Sequence, residues 1–237
     1  MGRRMLLEVK NLEAGYGKKQ ILYDITLSVH EGEIVGLIGH NGAGKSTTLK
    51  SIFGLLPPFR GQVVYEGQDF TLQPPAVRLD AGIYHIPQED FIFSDLTVKE
   101  NLEMSFFTMR ERSNFESRLS EVYAFFPVLT YRRNQMAGTL SGGERRMLGI
   151  GMGLLRRPKL VLVDEPSSGL APVTFQNVAK IIQEINTGLG TAVVLVEQNV
   201  KAAFKLSQRI YVMKAGRMIL EETGAKLLER KEWWDLF

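Results

Sequence analysis

Cysteine is absent from the 237 residues, which excludes a disulfide scaffold, a thiolate metal site and a cysteine nucleophile. No apolar run approaches the roughly 18 residues that span a bilayer. The longest candidates, residues 160–163 and 192–196, read as buried strands. The N-terminus, Met1-Gly2-Arg3-Arg4-Met5-Leu6-Leu7-Glu8, meets an acid before an apolar signal core can form, so no signal peptide is expected and the default compartment is the cytoplasm. Excess charge is small: 29 Lys and Arg against 26 Asp and Glu leave +3. That alone argues for no nucleic-acid surface. Internal repeats and long linkers are missing. The 44% hydrophobic and 23% charged residues are ordinary for a globular chain and exclude disorder and collagen. The length suits one α/β domain with an appended lobe, or two small domains.

Residues 6–10 and 25–30 alternate apolar with polar and predict half-buried antiparallel strands. Residues 34–38 are apolar without alternation, as a central strand buried on both faces requires. A glycine-rich loop follows, then a helix over about 45–55 that Pro57-Pro58 ends. Residues 62–66 form a short strand. From about 90 to 157 helix signals dominate. Thr97-Val98-Lys99-Glu100 and Ser141-Gly142-Gly143-Glu144 are capping boxes, the second opening a helix to Arg157 that Pro158 stops. Then strand and helix alternate again: a strand at 159–164, a helix at 172–186, a strand at 191–197 and a hairpin around Ala215-Gly216. The expectation is a single domain over 1–237. Its core is 1–89 and 158–237, a mostly parallel sheet with helices on both faces, and a helical lobe is inserted at about 90–157.

Gly39-His40-Asn41-Gly42-Ala43-Gly44-Lys45-Ser46, followed by Thr47, fits the spacing G-x-x-x-x-G-K-[ST]. Glycines let backbone amides turn toward a phosphate, and the helix starting near Lys45 adds its positive end. Lys45 reaches the β- and γ-phosphates and the Ser46 hydroxyl ligates Mg²⁺. A bare glycine-rich turn is the alternative; the flanking strand and helix favour nucleotide binding. Residues 160–163 are an apolar strand ending in Asp164-Glu165. Ligands of open parallel sheets bind at the carboxyl ends of strands. Asp164 is therefore expected near Mg²⁺, and Glu165, which begins the loop, is placed to polarise the water that attacks the γ-phosphate.

Leu140-Ser141-Gly142-Gly143-Glu144 lies between the phosphate loop and the acidic strand. This order resembles the ATP-binding cassette (ABC) ATPases, whose signature the pentapeptide is, here with Glu144 where Gln is commoner. The resemblance covers essentially the whole chain. It implies an α/β P-loop NTPase core with N-terminal antiparallel strands and a helical lobe, with ATP and Mg²⁺ as ligands. It implies a head-to-tail pair of ATPase subunits in which Ser141, Gly142 and Gly143 close on the partner's ATP. Tyr16 matches the aromatic that stacks on adenine, and Gln88 the glutamine that touches Mg²⁺ and water. Two positions depart from the family. Ala171 stands where most members have Asp, and Glu197-Gln198-Asn199 where Glu-His-Asp is usual. Gln198 can donate a hydrogen bond to the γ-phosphate but cannot become cationic. The histidines His30, His40 and His85 are not placed to substitute.

Val-Glu-Gln-Asn, Gly-Leu-Ala-Pro and Leu-Ser-Gly-Gly-Glu-Arg-Arg together look like the ATPase subunits of branched-chain amino-acid importers. The resemblance thus implies catalytic roles for Glu165, Gln198 and Lys45, and Mg²⁺ held by Ser46, Gln88 and Asp164. It implies separate membrane permease subunits, a second ABC ATPase, indirectly a solute-binding protein, and a place at the cytoplasmic face of the cell membrane. No nucleic acid is expected. Other cargo (urea, another polar solute, exported lipid) and a soluble ABC protein acting on ribosomes or nucleic acid are the alternatives. Phe91, Ile92, Phe93 and Leu96 form either a permease contact or part of a core. The tail Trp233-Trp234-Asp235-Leu236-Phe237 either packs back on the domain or docks on a partner. The pairs Arg132-Arg133, Arg145-Arg146 and Arg156-Arg157 read as solvated helix charges.

Overall fold

The computed structural model describes residues 3–88, 92–107, 109 and 114–230. The chain opens with β1 (Met5–Tyr16), β2 (Lys19–His30) and β3 (Ile34–Ile38), then α1 (Lys45–Phe53), β4 (Arg60–Tyr65), β5 (Gln68–Asp69), α2 (Pro75–Asp80) and β6 (Ile83–Ile86). Four helices follow: α3 (Val98–Phe107), α4 (Phe115–Phe125), α5 (Pro127–Tyr131) and α6 (Gly142–Leu154). The remainder is β7 (Leu160–Asp164), α7 (Pro172–Leu189), β8 (Ala192–Glu197), α8 (Val200–Leu206), β9 (Arg209–Lys214), β10 (Arg217–Thr223) and α9 (Gly224–Glu229).

The strands form two sheets. β2-β1-β4-β5 is antiparallel, and β10-β9-β3-β8-β7-β6 is parallel except for β10 at its edge. Every residue of β3, β7 and β8 is buried, which is why these strands lack alternation in sequence. A period of two survives in the packing. Val161, Val163, Val193 and Leu195 join the core beneath α3–α7, while Leu160, Leu162, Val194 and Val196 join the core shared with α1 and the antiparallel sheet. The helical stretch therefore shares one core with a face of the parallel sheet. In α7, Phe175, Val178, Ile181, Ile182 and Ile185 supply the buried stripe, at the spacing of one helix face. The order β6-β7-β8-β3 has a direct consequence: four neighbouring parallel strands end at one edge. Their following loops carry Gln88, Glu165, Gln198 and the glycine-rich turn.

Helix ends differ from the sequence expectation. α1 stops at Phe53, because Gly54 takes φ 84° and returns its N–H to Ser51 and Lys50; Pro57-Pro58 comes after the helix has closed. α6 stops at Leu154 rather than Arg157. Arg157, immediately before Pro158, has φ 48°, out of the helical region that a following proline disfavours. Both capping boxes form: Thr97 with Glu100, and Ser141 with Glu144.

Candidate active site

The glycine-rich turn leaves β3 and enters α1. Gly42 has φ 80° and Gly44 φ 106°, conformations that a side chain resists. A Cβ on Gly44 would also meet Leu22 at 2.8 Å. No side chain caps α1 and no acid lies in its first turn, so its first amides and positive end are left for a ligand in the cleft. The Lys45 ammonium folds back across the turn, donating to the carbonyls of Gly39 (2.9 Å) and His40 (3.1 Å).

β7 supplies the acids. Ser46 Oγ donates to Asp164 Oδ1 at 3.0 Å. Burial pushes the Asp164 carboxyl above the usual range, and the Ser46 hydrogen bond opposes that rise. Glu165 leaves the strand at φ 46° with its N–H on Val196 O at 2.9 Å. Three donors meet its carboxylate: Gln198 Nε2 at 2.5 Å and Gln88 Nε2 at 3.0 Å, both on Oε2, and the Lys45 ammonium 3.7 Å from Oε1. Gln88 also donates to Ser168 Oγ at 3.3 Å. These side chains line a cleft of about 350 Å³ with Ile21, Asn41, Gly42, Gly44, Ser46 and Thr47.

The arrangement suits a phosphorylated ligand: an open helix end, one lysine, and a hydroxyl–carboxylate pair at its rim. Among the described residues no cluster of three or more His, Asp or Glu could cage a metal. Mg²⁺ does not need one. It prefers one or two carboxylates with substrate phosphates and water, a donor set that Ser46, Asp164 and the Gln88 amide match.

Other expected residues lie apart. Tyr16, 49% exposed at the end of β1, is outside the cleft lining, with the Lys50 ammonium 5.9 Å from its ring centre. Ile21, on the paired strand β2, enters the lining instead. Ser141, Gly142 and Gly143 open α6 and do not line the cleft either. Ala171 is the N-cap of α7 and, lacking an oxygen, forms no side-chain cap. None of His30, His40 and His85 lines the cleft. Phe91 and residues 233–237 lie outside the described residues. Of the remaining apolar group, Ile92 packs against the core while Phe93 is 49% exposed.

Arg146 and Glu197 carried no site signal in the sequence. Arg146 is buried, not solvated: it donates to Pro87 O at 2.6 Å and Gln88 O at 2.7 Å, tying α6 to the Gln88 loop. Arg156 likewise reaches Ser105 O at 3.0 Å. Glu197, at the end of β8, is fully buried and touches both the Glu165 and the Gln198 loops. A larger open groove of about 670 Å³ runs between α7 and α8 beside Ser167 and Asn199. The phosphate-loop side chains are not in it.

The sequence profile described as ABC transporter matches residues 22–168. The high-affinity branched-chain amino acid transport ATP-binding protein BraG of Pseudomonas aeruginosa is 42% identical over 233 residues, 98% of this chain and 99% of that protein. The probable branched-chain amino acid transport ATP-binding protein LivF of Archaeoglobus fulgidus is 36% identical, covering 96% of each chain. The lipopolysaccharide export system ATP-binding protein LptB of Escherichia coli is 35% identical over 94% of this chain and 92% of its own length. Among solved structures, the dimeric post-hydrolysis state of the ATP-binding cassette MJ0796 bound to ADP and Pi superposes with TM-score 0.81 at 26% identity, covering 92% of this chain and 98% of that one. With the glycine-rich turn, the acidic strand end and the capped α6 in one fold, the chain belongs to the ABC transporter family as one of its ATPase domains.

Proposed function

We propose that this ATPase hydrolyses ATP in the cleft around Lys45 and Glu165 and so energises the import of branched-chain amino acids. The observation that carries the site reading is the convergence of Lys45, Gln88 and Gln198 on Glu165, beside the uncapped end of α1. The turn from Gly39 to Thr47 (Gly39, His40, Asn41, Gly42, Ala43, Gly44, Lys45, Ser46, Thr47) wraps the phosphates, and Lys45 neutralises the β- and γ-phosphate charge. Tyr16 stacks on adenine, such stacking being worth about 1–3 kcal/mol per base. Ser46, Asp164 and Gln88 hold Mg²⁺, which when bound supplies charge to the phosphate oxygens.

Glu165 Oε2 accepts two amide hydrogen bonds. When Gln198 turns to donate to the γ-phosphate, that oxygen gains a free lone pair, and Glu165 can take a proton from the attacking water. Such a base contributes roughly 10²–10⁴-fold. Ser141, Gly142 and Gly143 close on the ATP of a second cassette, identical or different. Permease subunits, and through them a solute-binding protein, complete the transporter, with this chain held peripherally at the cytoplasmic membrane face. No described helix is long and apolar enough to cross a membrane. The names of BraG and LivF support the amino-acid cargo. The likeness to LptB supports a second reading, lipid export.

The test uses Glu165→Gln, with membranes solubilised gently in ATP and the copurifying proteins identified. Membrane permeases with a second cassette and a binding protein for branched-chain amino acids are expected. A permease that carries lipid supports the second reading. Ribosomes or DNA without membrane protein overturn both.

A further inference from the structure

Glu197 closes β8 with its side chain fully buried. Its carboxylate nevertheless has four neutral donors. Oε1 accepts from Ser167 N at 2.9 Å, and Oε2 from Ser167 Oγ at 2.7 Å, Gln198 N at 3.1 Å and Asn199 N at 3.2 Å. Ser167 lies two residues beyond Glu165, in a turn that Ser168 N closes on Glu165 O at 3.0 Å. Gln198 and Asn199 begin the loop after β8, and Asn199 caps α8 through Ala202 N. One carboxylate therefore binds the backbones of both loops whose side chains meet at Glu165 Oε2.

We propose that Glu197 is a positioning residue for ATP hydrolysis, locking the Glu165 loop to the Gln198 loop so that base and phosphate-sensing amide keep a fixed spacing. A buried carboxylate is costly, and only a full set of donors offsets the cost. The four donors are backbone and hydroxyl groups of these two loops, so the arrangement spends a buried charge on loop geometry. Reacting groups displaced by about 1 Å can lose about 10²-fold in rate. With the backbones pinned, Gln198 can exchange Glu165 for phosphate by side-chain rotation alone. An amide at 197 presents N–H groups to donors and parts the loops. Aspartate keeps the charge but is one methylene short.

This inference rests on the ATPase reading above. The experiment measures steady-state ATP hydrolysis and binding of the fluorescent analogue TNP-ATP for wild type, Glu197→Gln, Glu197→Asp, Gln198→Ala, Glu165→Gln and the Glu197→Gln/Gln198→Ala double variant. Glu197→Gln is expected to lose about 10–100-fold in kcat with nucleotide affinity within about threefold of wild type, Glu197→Asp to fall between, and the double variant to lose less than the sum of the singles. Wild-type kcat in Glu197→Gln, or losses that add, overturn the proposal. If Glu197→Gln does not fold, Ser167→Ala, which removes only the 2.7 Å contact, takes its place in the same cycle under the same criteria. An inactive Glu165→Gln beside an active Glu197→Gln removes this inference alone. A fully active Glu165→Gln removes the site reading and this inference with it.

Discussion

Gln198 marks the main chemical departure at the residue scale. Its amide sits 2.5 Å from Glu165 Oε2 and lines the same cleft as Lys45. A neutral amide supplies directed N–H donors and no charge. Removing one donor to a developing oxyanion costs about 10²–10³ in rate. We therefore expect Gln198→Ala to lower kcat by about 10²-fold while TNP-ATP affinity changes little; unchanged kcat would sink the role. Arg78 illustrates the opposite use of a polar side chain. It is fully buried and donates to the carbonyls of Ser51 and Ile52 at the end of α1, and to those of Phe70, Thr71 and Gln73. Burial pulls its pKa down to about 10, so it stays charged at neutral pH. Arg78→Met leaves these buried acceptors without a donor. We expect a loss of about 3–5 kcal/mol and a fall of about 10 °C in Tm, read by thermal unfolding. A change under about 2 °C would show that the carbonyls find other partners.

The two capping boxes allow a comparison at the scale of elements. Thr97 and Ser141 each accept from the amide three residues on and are bound back by Glu100 and Glu144. Replacing either by alanine should cost about 1 kcal/mol. Only the helix behind Ser141 is proposed to face nucleotide. Thr97→Ala and Ser141→Ala should therefore destabilise alike, while only Ser141→Ala lowers ATP hydrolysis. Equal activity in both variants would make the Ser141 cap purely structural. Ala171 extends the same logic to α7, whose N-cap lacks an oxygen. Ala171→Asp is expected to raise stability by about 1 kcal/mol in denaturant unfolding, whatever it does to subunit pairing.

The whole molecule responds to pH through groups that do not line the cleft. His85 is buried in β6 against Phe53. Burial lowers its pKa to about 4 from an ordinary 6.5, with Lys50 adding to the shift. The unfolded chain takes up this proton as pH falls below 6.5 and the native chain does not until about 4. Native stability must therefore fall across that window. Glu33 acts lower down. Burial raises its carboxyl, but hydrogen bonds from Arg209 and His30 and the Arg209 charge, 2.7 Å away, hold it below the ordinary 4.5. Its contribution is present above 4.5 and is lost as pH falls below it. We expect His85→Gln to flatten the stability profile between pH 6.5 and 4 relative to wild type, and Arg209→Met, which removes the guanidinium that opposes the burial of Glu33, to shift the acid loss of stability to higher pH. Identical slopes for wild type and His85→Gln in urea titrations would remove the histidine from the account.

The phosphate turn, the acidic strand end and both caps were legible in sequence because each is contiguous: its parts lie within nine residues or fewer, and local spacing specifies them. The buried strands were legible because burial on both faces erases alternation. Short elements were not. β6 has four residues and α2 has six, too few for a period to register. The Arg145-Arg146 pair reads as surface charge, yet Arg146 finds carbonyls 58 and 59 positions away. Glu197 gathers Ser167 from 30 positions away. Such partners depend on strand order, which no local pattern encodes. Local sequence sets the chemistry available: a lysine and a hydroxyl after β3, and two acids and two amides at or just beyond strand ends. Only the fold sets β6, β7, β8 and β3 side by side in parallel, with their two faces buried in separate cores, and so brings the lysine and both amides onto the Glu165 carboxylate while the hydroxyl meets Asp164.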